Sequence, residues 1–301
     1  MYSMYFSITY RCNQKCLCCP YTEEDSGFED VSVEELCCVV DSILKQEEEL
    51  YVVLSGGEPT LHPEFPELIF QLQKRNVSVH ILSNGERFSD LLFLEKMDSK
   101  VNWGKLYVTT TLHSHRREEH EAANQKKGSF NRTLKGLHNL VERGAIVTVK
   151  HCVTGVNYPE LKEFYCFVEQ EFEDQIPVYL SGIDYMGIPE SLLEKEKVCF
   201  PKIRPVLENL FDYILQHSEK RRVFCSHIPL CAADPYYWPF LRIRDKERIY
   251  KQSGRSGQVE ESVEESGTHS EICRECQVRE LCAGTYLSAF QVLGKEGFRP
   301  Y

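Results

Sequence analysis

Six apolar, β-branched runs lie in the first 184 residues, at 4–10, 51–55, 77–83, 105–112, 145–153 and 176–184. Stretches of helical periodicity stand between them, near 32–46, 63–75, 88–97, 129–143 and 158–170. A strand followed by a helix and then a further strand needs a crossover connection, and repeated crossovers build a parallel sheet. Both a doubly wound sheet and a barrel satisfy this α/β pattern. Local signals mark the helix ends. Ser32 stands ahead of Glu34 and Glu35, acids suited to a first turn, and Arg143-Gly144 supplies a cationic end and a glycine cap.

From about Lys197 the rhythm changes. A helix is predicted over 201–217, followed by a cysteine-bearing segment, aromatic strands and a second cysteine group. The natural division is a core of residues 1–196 and an appendage of residues 197–301. Within the appendage, residues 253–270 are polar and poor in large apolar groups, and are expected to form a mobile loop.

Composition narrows the class. A formal net charge of −11 argues against nonspecific nucleic-acid binding, which rests on basic surface. No stretch approaches the roughly 18–20 apolar residues that span a bilayer, so no membrane partner is expected. Fourteen cysteines include metal-like clusters, and no apolar signal segment stands ahead of Tyr5, the usage expected of a cytoplasmic redox protein.

Directly after the first strand run comes Cys12-Asn-Gln-Lys-Cys16-Leu-Cys18-Cys19, three thiols at C-x3-C-x2-C spacing. Three thiolates can hold three irons of a [4Fe–4S] cluster, whereas a structural zinc site closes four ligands. Reduced core thiols and a zinc knuckle are the competing readings. The spacing near the N-terminus resembles the radical S-adenosylmethionine (SAM) superfamily. That resemblance implies an open (β/α)6 partial TIM barrel with its site at the C-terminal strand ends, and Cys12, Cys16 and Cys19 as ligands. It also implies chemistry: SAM chelates the open iron, is reductively cleaved to a 5′-deoxyadenosyl radical, and that radical abstracts hydrogen from substrate. The family usually has an aromatic residue where this chain has Cys18.

Further motifs carry the same resemblance. Ser55-Gly56-Gly57-Glu58-Pro59 ends the second strand, and by itself reads as a tight turn. Its match to the family's GGEP motif assigns Gly56, Gly57 and Glu58 to the SAM ammonium group. Leu82-Ser83-Asn84-Gly85 places Ser83 and Asn84 beside SAM, and the end of the fourth strand adds Thr111, His113 and Ser114. Cys273-x2-Cys276-x5-Cys282, with Cys231 upstream, resembles a twitch/SPASM-like domain holding one auxiliary [4Fe–4S] cluster; structural zinc is the alternative. Cys225 has three readings: a ligand in place of Cys231, an inert packed thiol, or a hydrogen donor that would make the enzyme a peptide epimerase. Cys37, Cys38, Cys152, Cys166 and Cys199 read as core residues.

The motifs of the C-terminal run resemble peptide-maturing members, including the His-Xaa-Ser type. The expected substrate is therefore a ribosomally synthesised peptide, with a flavodoxin or ferredoxin as electron donor. Cys12 lies close to the start, so leader recognition is expected from a separate protein or from the barrel rim. A dehydrogenase of a small molecule such as a sugar or cyclitol, and a nonenzymatic metal scaffold, are the competing classes.

Overall fold

The computed structural model describes residues 2–21, 29–173, 175–217, 222–252, 259–265 and 267–301. Six strands stand side by side in chain order: β1 (Tyr2–Thr9), β2 (Leu50–Gly56), β3 (Ser78–Ser83), β4 (Leu106–Thr111), β5 (Ile146–Val153) and β6 (Val178–Gly182). Every neighbouring pair among them is parallel. That order decides between the two architectures the sequence allows. A doubly wound sheet reverses its strand order at a switch point, with helices on both faces. Here every crossover steps the same way, so right-handed connections lay all the helices on one face and the sheet curls into an open barrel.

The expected helices form as α1 (Val33–Leu44), α2 (Phe65–Lys74), α3 (Leu91–Asp98), α5 (Ser129–Glu142) and α6 (Leu161–Glu171), with α4 (Arg117–Asn124) between α3 and α5. Ser32 caps α1 by accepting from the Glu35 N–H at 3.1 Å, and Gly144 follows α5 at φ 81°. Strand alternation then sorts the side chains. Met4, Phe6 and Ile8 of β1, Val79 and Ile81 of β3, and Val149 of β5 are buried in the layer beneath the helices. Each such side chain contributes roughly 1.5–3 kcal/mol. The intervening residues face the inside of the barrel and are more polar. Tyr51 meets Tyr107 there at 5.8 Å between ring centres, and His80 Nε2 lies 2.8 Å from Thr109 Oγ1.

The sheet does not stop at residue 196. After α7 (Glu190–Glu196) and α8 (Phe200–His217), β7 (Val223–Ser226) adds in parallel to β6. β8 (Lys246–Gln252) adds in parallel to the opposite edge, on β1, and β9 (Val259–Glu265) pairs antiparallel with β8. The expectation of a mobile loop over 253–270 is therefore corrected for 259–265, which is a strand; 253–258 and 266 lie outside the described residues. Low hydrophobicity misled because this hairpin is held by its backbone ladder and by charge, with Lys251 directly opposite Glu260. Thr268 then bridges to Thr285, and Ser270 caps the turn at Glu271–Cys273. A short α9 (Leu287–Leu293) follows. No helix among the described residues is long and apolar enough to cross a membrane.

Candidate active site at the C-terminal strand ends

The loop leaving β1 carries Cys12, Cys16 and Cys19 and is fixed from both sides. On one side the Gly57 and Glu58 N–H groups donate to Thr9 O and Arg11 O, each at 2.8 Å. On the other, Lys15 and Leu17 donate to Asn124 O and Ala123 O at the end of α4. Asn13 Oδ1 accepts from Asn84 at 2.7 Å, and Gln14 Nε2 donates to buried Glu86 at 2.7 Å, whose other oxygen meets Arg132. Gly187, after β6, lies where a side chain would overlap Cys19 O. The sulfurs feel one another. Burial first, then the neighbouring Cys12 and Cys19 thiolates, push Cys16 up to about 12; burial, Glu58 and Cys19 likewise raise Cys12. The thiols do not converge on a point: among the described residues no three His, Cys, Asp or Glu side chains stand as ligands of one ion. Three thiols on one pinned loop, with Cys12 and Cys16 raised in part by neighbouring thiolates, suit a cationic group large enough to lie among them.

Gly56 and Gly57 earn their place by proximity. Gly56 has φ 121°, and a Cβ at Gly57 would lie 2.6 Å from Tyr10 O and closer still to Arg11 O. The two glycines let β2 run against the backbone that enters the cysteine loop. Glu58 is buried at the crossing. Its Oε1 accepts from Thr60 N (3.1 Å), Thr60 Oγ1 (2.6 Å) and Ser83 Oγ (2.8 Å), and its Oε2 from Asn84 N (2.7 Å). A carboxylate offers about four acceptor positions, and Oε2 uses only one of its own. Glu58 thus fits an ammonium group. Ser83 and Asn84 are brought to it as expected, but their side chains are engaged by protein: Ser83 Oγ also accepts from Gly85 N, and Asn84 bonds Asn13 and Glu86 N.

Thr111 ends β4 opposite Lys150 of β5, outside the lining of the cavity that His113 and Ser114 reach. His113 and Ser114 line a cavity of about 150 Å³ together with Leu17, Cys18, Asn157 and Ile183, directly beside the cysteine loop. Its mostly apolar wall with a few polar groups is the usual make-up of a small-molecule site. Ser114 donates to Glu119 at 2.8 Å and accepts from Arg116 N, so its hydroxyl braces the wall. Burial, then His120 and Lys150, pull His113 down to about 3, which leaves a neutral imidazole.

The inner face holds a group that sequence reasoning missed. Cys152, expected in the core, faces the barrel interior and is hydrogen-bonded to Cys18. That bond, with Lys150 nearby and against the effect of burial, lowers Cys152, while Cys18 moves up. The Lys150 ammonium lies 5.8 Å from the Tyr179 ring centre. Tyr179 stacks on Phe224 at 4.7 Å, and His227 on Tyr286 at 3.9 Å. A larger cavity of about 730 Å³ adjoins, lined among others by Tyr5, His227, Arg242, Glu247, Lys251 and Tyr286. The alternation of β5 would have identified Cys152, had the sequence shown which face was the inside. Of the other cysteines read as core, Cys37 is buried but Cys38 is exposed.

In the C-terminal third, Cys231, Cys273, Cys276 and Cys282 line one small cavity with Pro229 and Phe298. Cys282 Sγ accepts from Leu230 N at 3.4 Å and Gly284 N at 3.3 Å, and backbone N–H groups also reach Cys231 and Cys273. Burial raises Cys231, Cys273 and Cys282 overall, and these donors oppose the rise. Cys225 joins neither group. It is fully buried in β7, in register with Leu180 on the helix side, and burial alone raises its pKa.

The family model described as the radical SAM superfamily matches residues 6–168, more than half of the chain. The chain belongs to the radical SAM superfamily. Among curated relatives, the Fe-coproporphyrin III synthase of Methanosarcina barkeri is 29% identical over 175 residues, covering 58% of this chain and 42% of that protein. The antilisterial bacteriocin subtilosin biosynthesis protein AlbA of Bacillus subtilis is 30% identical over 159 residues, covering 52% of this chain and 34% of AlbA. The radical SAM chain thus spans less than half the length of these relatives. Among solved structures, Streptococcus suis SuiB bound to its precursor peptide SuiA superposes with a TM-score of 0.59 at 14% identity, over 74% of this chain and 48% of SuiB. The shared fold is that of the partial barrel.

Proposed function

We propose that this chain is a radical SAM enzyme that modifies a ribosomally synthesised peptide. The observation that carries the enzymatic reading is the crossing of the cysteine loop with the Gly56-Gly57-Glu58 turn, which sets three thiols beside a buried carboxylate with acceptor capacity left. Cys12, Cys16 and Cys19 would hold a [4Fe–4S] cluster. When bound, the cluster with SAM supplies one-electron reduction of a sulfonium and thereby hydrogen abstraction from carbon. This chain's own residues do the rest. Glu58 accepts the SAM ammonium, and the backbone of Gly56 and Gly57 leaves room for its approach. The cavity between Leu17, His113 and Ile183 takes the adenosyl part and excludes water from it. Neutral His113 serves as a wall and hydrogen-bonding group there. Cys231, Cys273, Cys276 and Cys282 would hold one auxiliary [4Fe–4S] cluster, with Cys225 left as a packed thiol.

The peptide reading draws support from AlbA, named for the biosynthesis of a bacteriocin, and from the roomy inner cavity. Its electron donor would be a flavodoxin or ferredoxin, and leader recognition would come from a separate protein or the barrel rim. A small-molecule substrate is the second reading, favoured by the Fe-coproporphyrin III synthase relative. Anaerobic reconstitution tests the enzymatic part. The intact chain is expected to bind about eight irons and to yield 5′-deoxyadenosine, and the triple Cys12, Cys16, Cys19→Ala variant about four irons and no product. Zinc in place of iron at the C-terminal cysteines, or product from the triple variant, overturns the assignment. Candidate peptides encoded beside the gene, scored by mass change on turnover, separate peptide from small-molecule chemistry.

A further inference from the structure

Resting on the peptide reading above, we propose that the inner face of the barrel carries a carboxylate-binding subsite centred on Lys150. Its occupant is an acidic side chain or the free C-terminal carboxylate of the substrate.

The placement follows from strand register. Lys150 lies opposite Thr111 of β4 and Tyr179 of β6, at the C-terminal ends of the strands. Its neighbours Val149 and His151 turn to the helix layer, where His151 stacks on Phe164 at 3.9 Å. The ammonium is thereby committed to the interior. Partly covered cations elsewhere are matched: Arg132 by Glu86, Arg75 by Asp41, Arg143 by Asp98. Among the described residues no carboxylate pairs with Lys150. Its nearest anion-forming neighbour is Cys152, a thiol engaged with Cys18 and a weak acceptor, so a ligand carboxylate supplies the strong oxygen acceptors that the ammonium lacks.

The surroundings match the same ligand. Tyr179, backed by Phe224, and Tyr286, backed by His227, flank the ammonium with flat apolar walls and hydroxyl donors. The adjoining cavity adds His227, held neutral by burial, with Arg242 and Lys251, and its one acid among the described residues, Glu247, is bound to Arg242. A single ammonium with two phenols suits the single charge of a carboxylate rather than the nearly double charge of a phosphate.

The test uses the full chain with clusters reconstituted and SAM bound, under anaerobic titration calorimetry. The probes are an acetylated, amidated Ala-Phe-Glu-Phe-Ala peptide, its Gln counterpart, the Gln peptide with a free C-terminus, and glutarate. Wild type is expected to bind an acid-bearing peptide roughly ten- to a hundredfold tighter than the amidated Gln peptide. Lys150→Met brings that ratio to about one, and Lys150→Arg retains part of it. Whichever acid-bearing peptide is preferred identifies a side-chain or a terminal carboxylate. Iron content and the circular dichroism spectrum of both variants show that the fold is kept. Lys150-dependent binding of glutarate with no acid preference among peptides supports the subsite and removes the peptide reading. No acid preference with any probe, a preference that survives Lys150→Met, or a Lys150→Met effect confined to SAM affinity overturns the subsite.

Discussion

Burial lifts the Glu58 carboxyl above its usual 4.5, while hydrogen bonds from Thr60, Asn84 and Ser83 oppose the rise. The folded chain therefore binds this proton more tightly than the unfolded chain. The contribution is fully present below pH 4.5 and is lost as pH rises through the elevated value. Urea unfolding at steps from pH 4.5 to 7 should show wild type losing stability relative to Glu58→Gln; parallel curves would contradict the reading. Glu58→Ala goes further, orphaning the donors of Thr60, Ser83 and Asn84 at about 1–3 kcal/mol for each group left unpaired. In both variants SAM affinity is expected to fall by about one to two decades, measured by calorimetry. At this scale the sequence was legible where a motif names a residue, as with Cys12, Cys16, Cys19 and Glu58. It misplaced Cys152, read as a core thiol, whose position follows from which way one strand faces, and it was silent on the hydrogen bonds that engage Ser83 and Asn84.

The strands and helices of the first six units were legible because each carries an apolar stripe of the right period. Those that were missed lack one. α4 buries only His120 and Asn124, and β9 is largely acidic, so neither shows in a hydrophobic pattern. Yet α4 pins one side of the cysteine loop, and β2 pins the other through Gly57. Gly57→Ala should force the loop and the turn apart, since the obstacle is backbone and cannot swing aside. The expected result is a loss of about 2 kcal/mol or more and poor retention of the N-terminal cluster, with the C-terminal iron kept. Thermal unfolding and iron analysis check both halves, and full iron in a stable variant would show that the crossing is pliable.

Across the whole molecule the two cysteine groups are built on separate supports, one on the loop after β1 and one within residues 231–282. Cys231→Ala should therefore make only the C-terminal cluster labile, and Cys225→Ala should keep both clusters and turnover while slightly lowering stability. Loss of turnover in Cys225→Ala with about eight irons retained would return Cys225 to the chemistry. The last third also shapes the solubility of the chain. It covers β6 with β7 and β1 with β8, and so gives both margins of the barrel a neighbour. A chain cut after Glu196 would still hold every residue of the first cysteine motif and of the Gly56-Gly57-Glu58 turn. Its β1 and β6 would each present a bare ladder of N–H and C=O groups, a template for pairing with other copies. Such a fragment should come out of the cell as aggregate, a loss of colloidal stability rather than of catalytic parts.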